Sequence, residues 1–503
     1  MAPDRPDPDA FPAPVYKDTV LAPLFEGAKR HHLEPFRRVN RAHCVMLAET
    51  GLLTPDQASA IARALADIDA TLDPEALSFT GEVEDFFFLI EGELIRRLGV
   101  DLAGRLHTGR SRNDIDHTVF KLTLKARIDA LAQAGRALAA VLLDKAAAER
   151  DTLIVAYTHG QPAQPSTFGH YLSAAAEVLL RDLDRLAAAR GTVDLCSMGA
   201  AAITTTGFAI DRHRMAELLG FAAPQENSYG CIAAVDYVTC TYSALQLMAL
   251  HLGRVVQDLQ YWTGFEVGQL HVPGAYVQIS SIMPQKRNPV PIEHLRLLLS
   301  LAGGRAAAQL GTMHNTPFTD MNDSEGEVQV AGYAAFEALD RALRLMAGLI
   351  GAVTVDADRV RATTDAACIT ITELADGLVR REGLSFRQAH EIAAAVARAM
   401  IAERRSLEEA GYPAFAAAFE HSAGRPPSVD RAAFAEMVSP EHFVAVRDRF
   451  GGPAPAALDA ALGRHRERLA ALTAAADEAT AGEAQAAAAL DRAFVRLAAG
   501  ASA

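Results

Sequence analysis

Three features of this 503-residue chain predict an almost all-α protein. Half of the residues are apolar but only 6% are aromatic, and alanine and leucine dominate, a bias that favours helix over strand. Long stretches also lack proline; none occurs from Asn113 to Gly160. Within such stretches apolar residues recur at spacings of three and four, the period of one helical face.

Taken in order, the elements fall into three parts: 1–111, 112–361 and 362–503. Met1 to Pro14 is rich in Pro and Asp and lacks the basic-then-apolar pattern of a leader. No run of eighteen uninterrupted apolar residues suggests a membrane span. Residues 1–111 read as a smaller helical domain, in which Leu53-Thr54-Pro55 opens a helix with an N-cap and a first-turn proline. The central part holds about five long helices. Their seams run through Leu124, Ile128, Leu131, Leu138 and Leu142, then Leu172, Leu179, Leu183 and Leu186, then Leu245, Met248, Leu252, Leu259 and Trp262. An apolar run from Leu295 to Leu310 and a seam through Phe336, Leu339, Leu343, Met346 and Ile350 complete the set. Seams this long are the pattern of a helix bundle. Further apolar residues flank them, more than one chain covers, so an oligomer that pools its helices is expected. The last part carries shorter helices, breaks at Gly424–Pro427 and Gly451–Pro455, and ends in an alanine-rich tail from Ala456 that reads as helix. Its docking is not legible.

A formal net charge of -14, with no Lys/Arg cluster interleaved with aromatics, argues against a nucleic-acid partner, and none is expected. An acidic substrate therefore needs a local positive pocket. The five cysteines are odd in number and lack CxxC spacing, which argues against a disulfide framework or a zinc site and fits a reducing, cytoplasmic setting. No HExxH or paired-histidine spacing appears; neither metal nor other cofactor is expected.

The sharpest segment runs from Ser280 to Pro289, Ser-Ser-Ile-Met-Pro-Gln-Lys-Arg-Asn-Pro. Two prolines within six residues forbid a continuous helix, so a loop between bundle helices is predicted. Its two hydroxyls, lysine and amide are equipped to meet a carboxylate, and such loops often close over a substrate. A second segment, His107-Thr108-Gly109-Arg110-Ser111-Arg112-Asn113-Asp114, lies where the first long helix begins. A helix N-terminus is a ready anion site, although simple capping also explains Asn113 and Asp114. A third runs from Tyr157-Thr158-His159-Gly160 to Pro165.

The Ser280 segment resembles the signature of the fumarase, aspartase and argininosuccinate lyase superfamily, Gly-Ser-Ser-x-Met-Pro-x-Lys-x-Asn, over nine positions. The resemblance to argininosuccinate lyases extends from about Arg38 to Gly452. It implies a three-domain fumarase/aspartase-like fold around a central bundle, a homotetramer whose sites draw on three subunits, and carbon–nitrogen elimination releasing fumarate from an N-substituted aspartate. It makes Ser280 the base that removes the Cβ proton, with Lys286 and Asn288 holding the carboxylate that takes up charge and Ser281 and Met283 beside them. Arg112 and Asn113 become carboxylate ligands, with Ser111 a weaker one. Thr158 and His159 bind substrate, with the imidazole oriented by Glu293. The chemistry needs such groups, because deprotonation next to a carboxylate places a second negative charge on it, which preorganised donors must stabilise. Serine is a poor base unless cations and N–H donors favour its alkoxide.

Departures concentrate on the amine side. Ile279 stands where the superfamily has glycine. Ala233-Ala234-Val235-Asp236 replaces Ser-Asp-Arg-Asp, Val290 replaces an acidic residue, and Asp320 to Val328 replaces Tyr-Asn-Arg-Asp-Leu-Gln-x-Asp-Lys. These changes suggest a substrate other than argininosuccinate, such as an aminocarboxylate or a diamine-derived succinate. True argininosuccinate cleavage is the alternative, and a non-catalytic structural role for the same fold is a third.

Overall fold

The computed structural model describes residues 11–500. The longer helices that precede the bundle are α1 (Ala22–His31), α2 (Leu33–Glu49), α3 (Pro55–Thr71) and α4 (Phe86–Leu98). Thr54 caps α3 as the sequence predicts, in a reciprocal box with Gln57.

The five long helices form where the apolar seams run. They are α5 (Arg112–Ala148), α6 (Phe168–Val193), α7 (Asp236–Trp262), α8 (Val290–Thr312) and α9 (Gly326–Ala352). Each packs on the next, and α9 returns to α5, so the bundle closes into a ring. At 37 residues α5 is about 55 Å long. Its seam from Leu124 to Leu142 is buried throughout, and each such leucine or isoleucine contributes roughly 1.5–3 kcal/mol of transfer free energy. Close approach depends on small residues; a Cβ at Gly332 of α9 would meet the Tyr242 hydroxyl and Gln309. Among the described residues no helix is long and apolar enough to cross a membrane.

The few strands matter because they carry site residues. Leu153–Thr158 (β1) and Gln161–Thr167 (β2) pair antiparallel between α5 and α6. Tyr157 to Pro165 thus forms most of a hairpin. The prolines at 162 and 165 are tolerated because the ribbon has only two strands, both of them edges. Gln278–Ile279 (β3) pairs with Arg287–Asn288 (β4).

Helices α10 (Ile371–Glu382), α11 (Phe386–Glu403) and α12 (Leu407–Ala423) enclose a separate core around Leu374, Phe415, Phe419 and Phe434. The tail forms one 44-residue helix, α13 (Pro455–Ala498). It does not join that core. Its buried residues cluster near its ends, at Leu458 and Leu462 and from Leu490 to Leu497, and pack into the core shared by the bundle and the first helices. Glu483 on α13 also accepts from Arg190 at 2.6 Å and pairs with buried Lys125 at 3.0 Å. The 362–503 stretch thus divides between two cores.

Candidate active site

The N-terminus of α5 is built by a capping box: Asp114 accepts from the Ser111 backbone at 2.9 Å, and the Ser111 side chain caps in return. The two arginines of this segment have different fates. Arg110 is buried and donates to Asn40 Oδ1 at 2.7 Å. Arg112 faces a cavity of about 350 Å3, which Asn113 also lines. Within the chain, Nη1 of Arg112 donates to Asp85 at 2.8 Å and reaches Glu84 at 3.2 Å. Burial alone would lower the pKa of this guanidinium, and those two carboxylates more than reverse the effect.

One wall of the cavity is apolar, from Leu24, Phe25, Leu33, Phe36 and Phe87. The lining also holds the carboxyls of Glu84, Asp85, Asp116, Asp320 and Glu325. Burial, together with the neighbouring Asp320, raises the Glu325 carboxyl to about 7. Burial also raises Asp320. Asp116 lies well above the usual carboxylate range, through burial and then the charges of Glu325 and Asp85. So many carboxyls crowd around one arginine that burial and mutual repulsion favour the protonated form of several of them, and a cation placed there would favour their ionisation. Asp116 escaped the sequence reading; its one available signal is its place four residues after Arg112, on the same helical face.

Thr158 and His159 sit exposed at the tip of the β1–β2 hairpin. His159 and Gly160 both have positive φ, 53° and 73°, as a two-residue turn matched to strand twist requires. The tip is held in place because Tyr261 at the end of α7 donates to Gly160 O at 3.1 Å. Deeper in, buried Gln269 acts as a short third strand, accepting from Val155 N at 3.0 Å and donating to Val155 O at 3.3 Å. A second cavity, of about 580 Å3, opens beside His159.

The Ser280–Asn288 loop projects from the β3–β4 pair, to which Asn288 contributes a side-chain bond to Gln278 O at 3.1 Å. Ile279 lies on the exposed strand and has no positive φ, so the superfamily glycine is not needed there for its backbone freedom. The Ser280 hydroxyl oxygen accepts from the backbone of Met283 at 3.1 Å and of Ile282 at 3.4 Å. Two N–H donors on that oxygen favour its alkoxide. Ser281, Met283 and Lys286 are exposed on the same loop. Glu293, also exposed, falls in the first turn of α8, where the helix dipole favours an acid.

The structure therefore keeps the three segments apart within one chain. The residues lining the cavity at Arg112 and those lining the cavity at His159 do not overlap, and Ser280 lines neither. Among the described residues, no hydrogen bond or ion pair joins His159 to Glu293, or Lys286 to Ser280.

Comparison with known proteins places this architecture. A family described as Lyase matches residues 27–304, and one described as Argininosuccinate lyase C-terminal matches 368–445. "Argininosuccinate lyase 2" of Agrobacterium fabrum is 61% identical over 98% of both chains. The chain belongs to the argininosuccinate lyase branch of the fumarase and aspartase superfamily. "Argininosuccinate lyase" of Methanocaldococcus jannaschii is 33% identical to this lyase, over 85% of the chain and 87% of the relative. Among solved structures, an EDDS lyase variant with bound fumarate superposes on it with a TM-score of 0.85 at 28% identity, over 97% of this chain and 96% of the other. The lyase is thus a carbon–nitrogen lyase of the fumarate-releasing class.

Proposed function

We propose that this lyase eliminates fumarate from an N-substituted aspartate whose departing nitrogen belongs to a cationic group. Ser280 takes the Cβ proton as the C–N bond breaks and the electron pair leaves with the amine. The observation that carries the reading is the cavity at the N-terminus of α5. Arg112 and Asn113 suit the dicarboxylate half of the substrate, while Asp116, Asp320 and Glu325 suit a positively charged leaving half. Ionised carboxylates there disfavour an anionic leaving half, because desolvated like charges repel.

Argininosuccinate is the substrate that the relatives' names favour, which reverses the order of preference read from the sequence. A second reading, an aminocarboxylate or diamine-derived succinate, is favoured by Asp320 and Glu325 standing where the superfamily pattern has tyrosine and glutamine. Incubating the enzyme separately with argininosuccinate and with EDDS, and following fumarate by ultraviolet absorbance, separates the two. Housekeeping-rate turnover of argininosuccinate is expected on the first reading; turnover of neither compound, nor of any other cationic N-succinyl amine, contradicts both.

Glu325 supplies a pH test. Its carboxyl, raised to about 7, is neutral below that pH and negative above it. Only the charged form attracts a cation, so KM for the N-substituted aspartate is expected to fall as pH rises through that region. Glu325→Gln should flatten this dependence and raise KM about tenfold, the scale of one charged contact. A KM insensitive to both pH and substitution would remove Glu325 from the site.

The separation of the three segments supports a site shared among copies, with His159, the set of Ser280, Lys286 and Glu293, and the pair Arg112 and Asn113 brought by different subunits of a tetramer. Leu247, Leu250, Leu297 and Leu301 support it too, since they leave an apolar face on α7 and α8 exposed in the single chain. Mixing inactive Ser280→Ala and His159→Ala subunits through unfolding and refolding should restore activity that neither variant has. Failure of well-mixed oligomers to regain any activity would argue for a site within one chain.

A further inference from the structure

We propose that Asp114 is a positioning residue, which aims the Asn113 amide at substrate by clamping the 199–202 segment over the N-terminus of α5. The proposal rests on the reading of Asn113 as a carboxylate ligand. Asp114 is fully buried and collects three backbone donors. One oxygen takes Ser111 N; the other takes Gly199 N at 2.8 Å and Ala201 N at 2.9 Å.

The clamped segment has a backbone that would not keep this shape unaided. Ala201 and Thr205 both have positive φ, 51° and 60°, a region that side-chain-bearing residues avoid unless the surroundings impose it. Gly199, at 84°, admits no Cβ, which would lie 2.6 Å from Arg212 and 2.9 Å from Ile210. The outcome of this geometry is the placement of one carbonyl. Ala202 O accepts from Nδ2 of Asn113 at 3.1 Å. A carbonyl can face only the amino side of an amide, so it sets which way Asn113 points. With one amino hydrogen held there, the other stays oriented as a donor, and the oxygen that would repel a carboxylate cannot take its place. Asp114 itself does not line the cavity; its action passes through the loop.

The test is a kinetic comparison in the amine-addition direction, where fumarate and the amine are varied independently. Asp114→Asn keeps one accepting oxygen but cannot serve all three donors. It is expected to raise KM for fumarate about tenfold while kcat stays within about threefold and KM for the amine is unchanged, the signature of lost uniform binding. General disorder of the site would lower kcat and alter both KM values. Asn113→Ala is the reference and should raise KM for fumarate at least as much. If Asn113→Ala does so and Asp114→Asn does not, the positioning role is wrong and the site reading stands. If Asn113→Ala leaves KM unchanged, both fall. Should Asp114→Asn not accumulate as folded oligomer, Asp114→Glu, which keeps the charge but displaces it by one methylene, carries the same expectation and the same contrary outcome.

Discussion

Replacing Ser280 by alanine is expected to lower kcat for elimination by about a thousandfold, the usual contribution of a positioned general base, while substrate still binds. Little of the fold depends on the side chain: Ser280 is half-buried in an exposed loop, and among the described residues its hydroxyl bonds only to two backbone N–H groups two and three residues ahead. Circular dichroism and sedimentation should therefore match the parent protein. On the proposed mechanism those same N–H groups would let a serine serve as base, because they stabilise its alkoxide. A variant with more than about a tenth of parental kcat would assign the base to another residue.

The second large effect concerns the scaffold. Gly169 opens the first turn of α6, directly after the hairpin that carries Thr158 and His159, and its N–H donates to Glu149 O at 3.0 Å. A Cβ there would stand 2.4 Å from Ala146 O, 2.7 Å from Arg150 Cα and 3.0 Å from Arg150 N. All three are backbone atoms of the end of α5 and the turn after it, so no side chain can swing aside. Gly169→Ala is expected to cost about 3 kcal/mol and, in protein that does fold, to displace the hairpin and reduce kcat. At Gly191, near the far end of the same helix, a Cβ would meet nothing within 4 Å. There, alanine should be neutral or stabilise by up to about 1 kcal/mol through helix propensity. Thermal denaturation of the two variants side by side checks the contrast; equal midpoints would show that the α5–α6 junction is not the tight contact described.

How far the sequence spoke depended on whether a feature is periodic. The five bundle helices were legible because each presents an apolar seam over several turns without proline, and tertiary packing has no competing local signal to override. The hairpin was not, because Pro162, Pro165 and the polar residues between them disguise β2, and the turn geometry rests on His159 accepting a positive φ. The tail was legible as a helix. Its alanines gave no strong face, so its return to the first core, settled by small groups of apolar residues near its two ends, could not be read. Within the site, the resemblance singled out Arg112 rather than Arg110; Arg112 lines the cavity, where it meets Asp85 and Glu84 within the chain. Asp320 and Glu325 drew notice because they lie in a stretch that departs from the family pattern. That they converge with Asp116 on one cavity is a fact of three dimensions. The leaving amine was the least legible of all: substitutions pointed away from argininosuccinate, whereas the relatives' names point towards it, and an acidic lining suits either cationic group.

At the centre of the proposed mechanism, a Ser280 hydroxyl from one subunit would meet a dicarboxylate held by Arg112 and Asn113 of another. A crystal structure of the Ser280→Ala oligomer with its uncleaved substrate trapped tests this most directly. The expected result places the Cβ of position 280 within about 4 Å of the carbon that loses its proton, near-attack range once the missing oxygen is allowed for, with His159 and Asn113 from other copies on the carboxylates. A trapped substrate lying in the α5 cavity with position 280 of every subunit far from it, the loop closed, would contradict it.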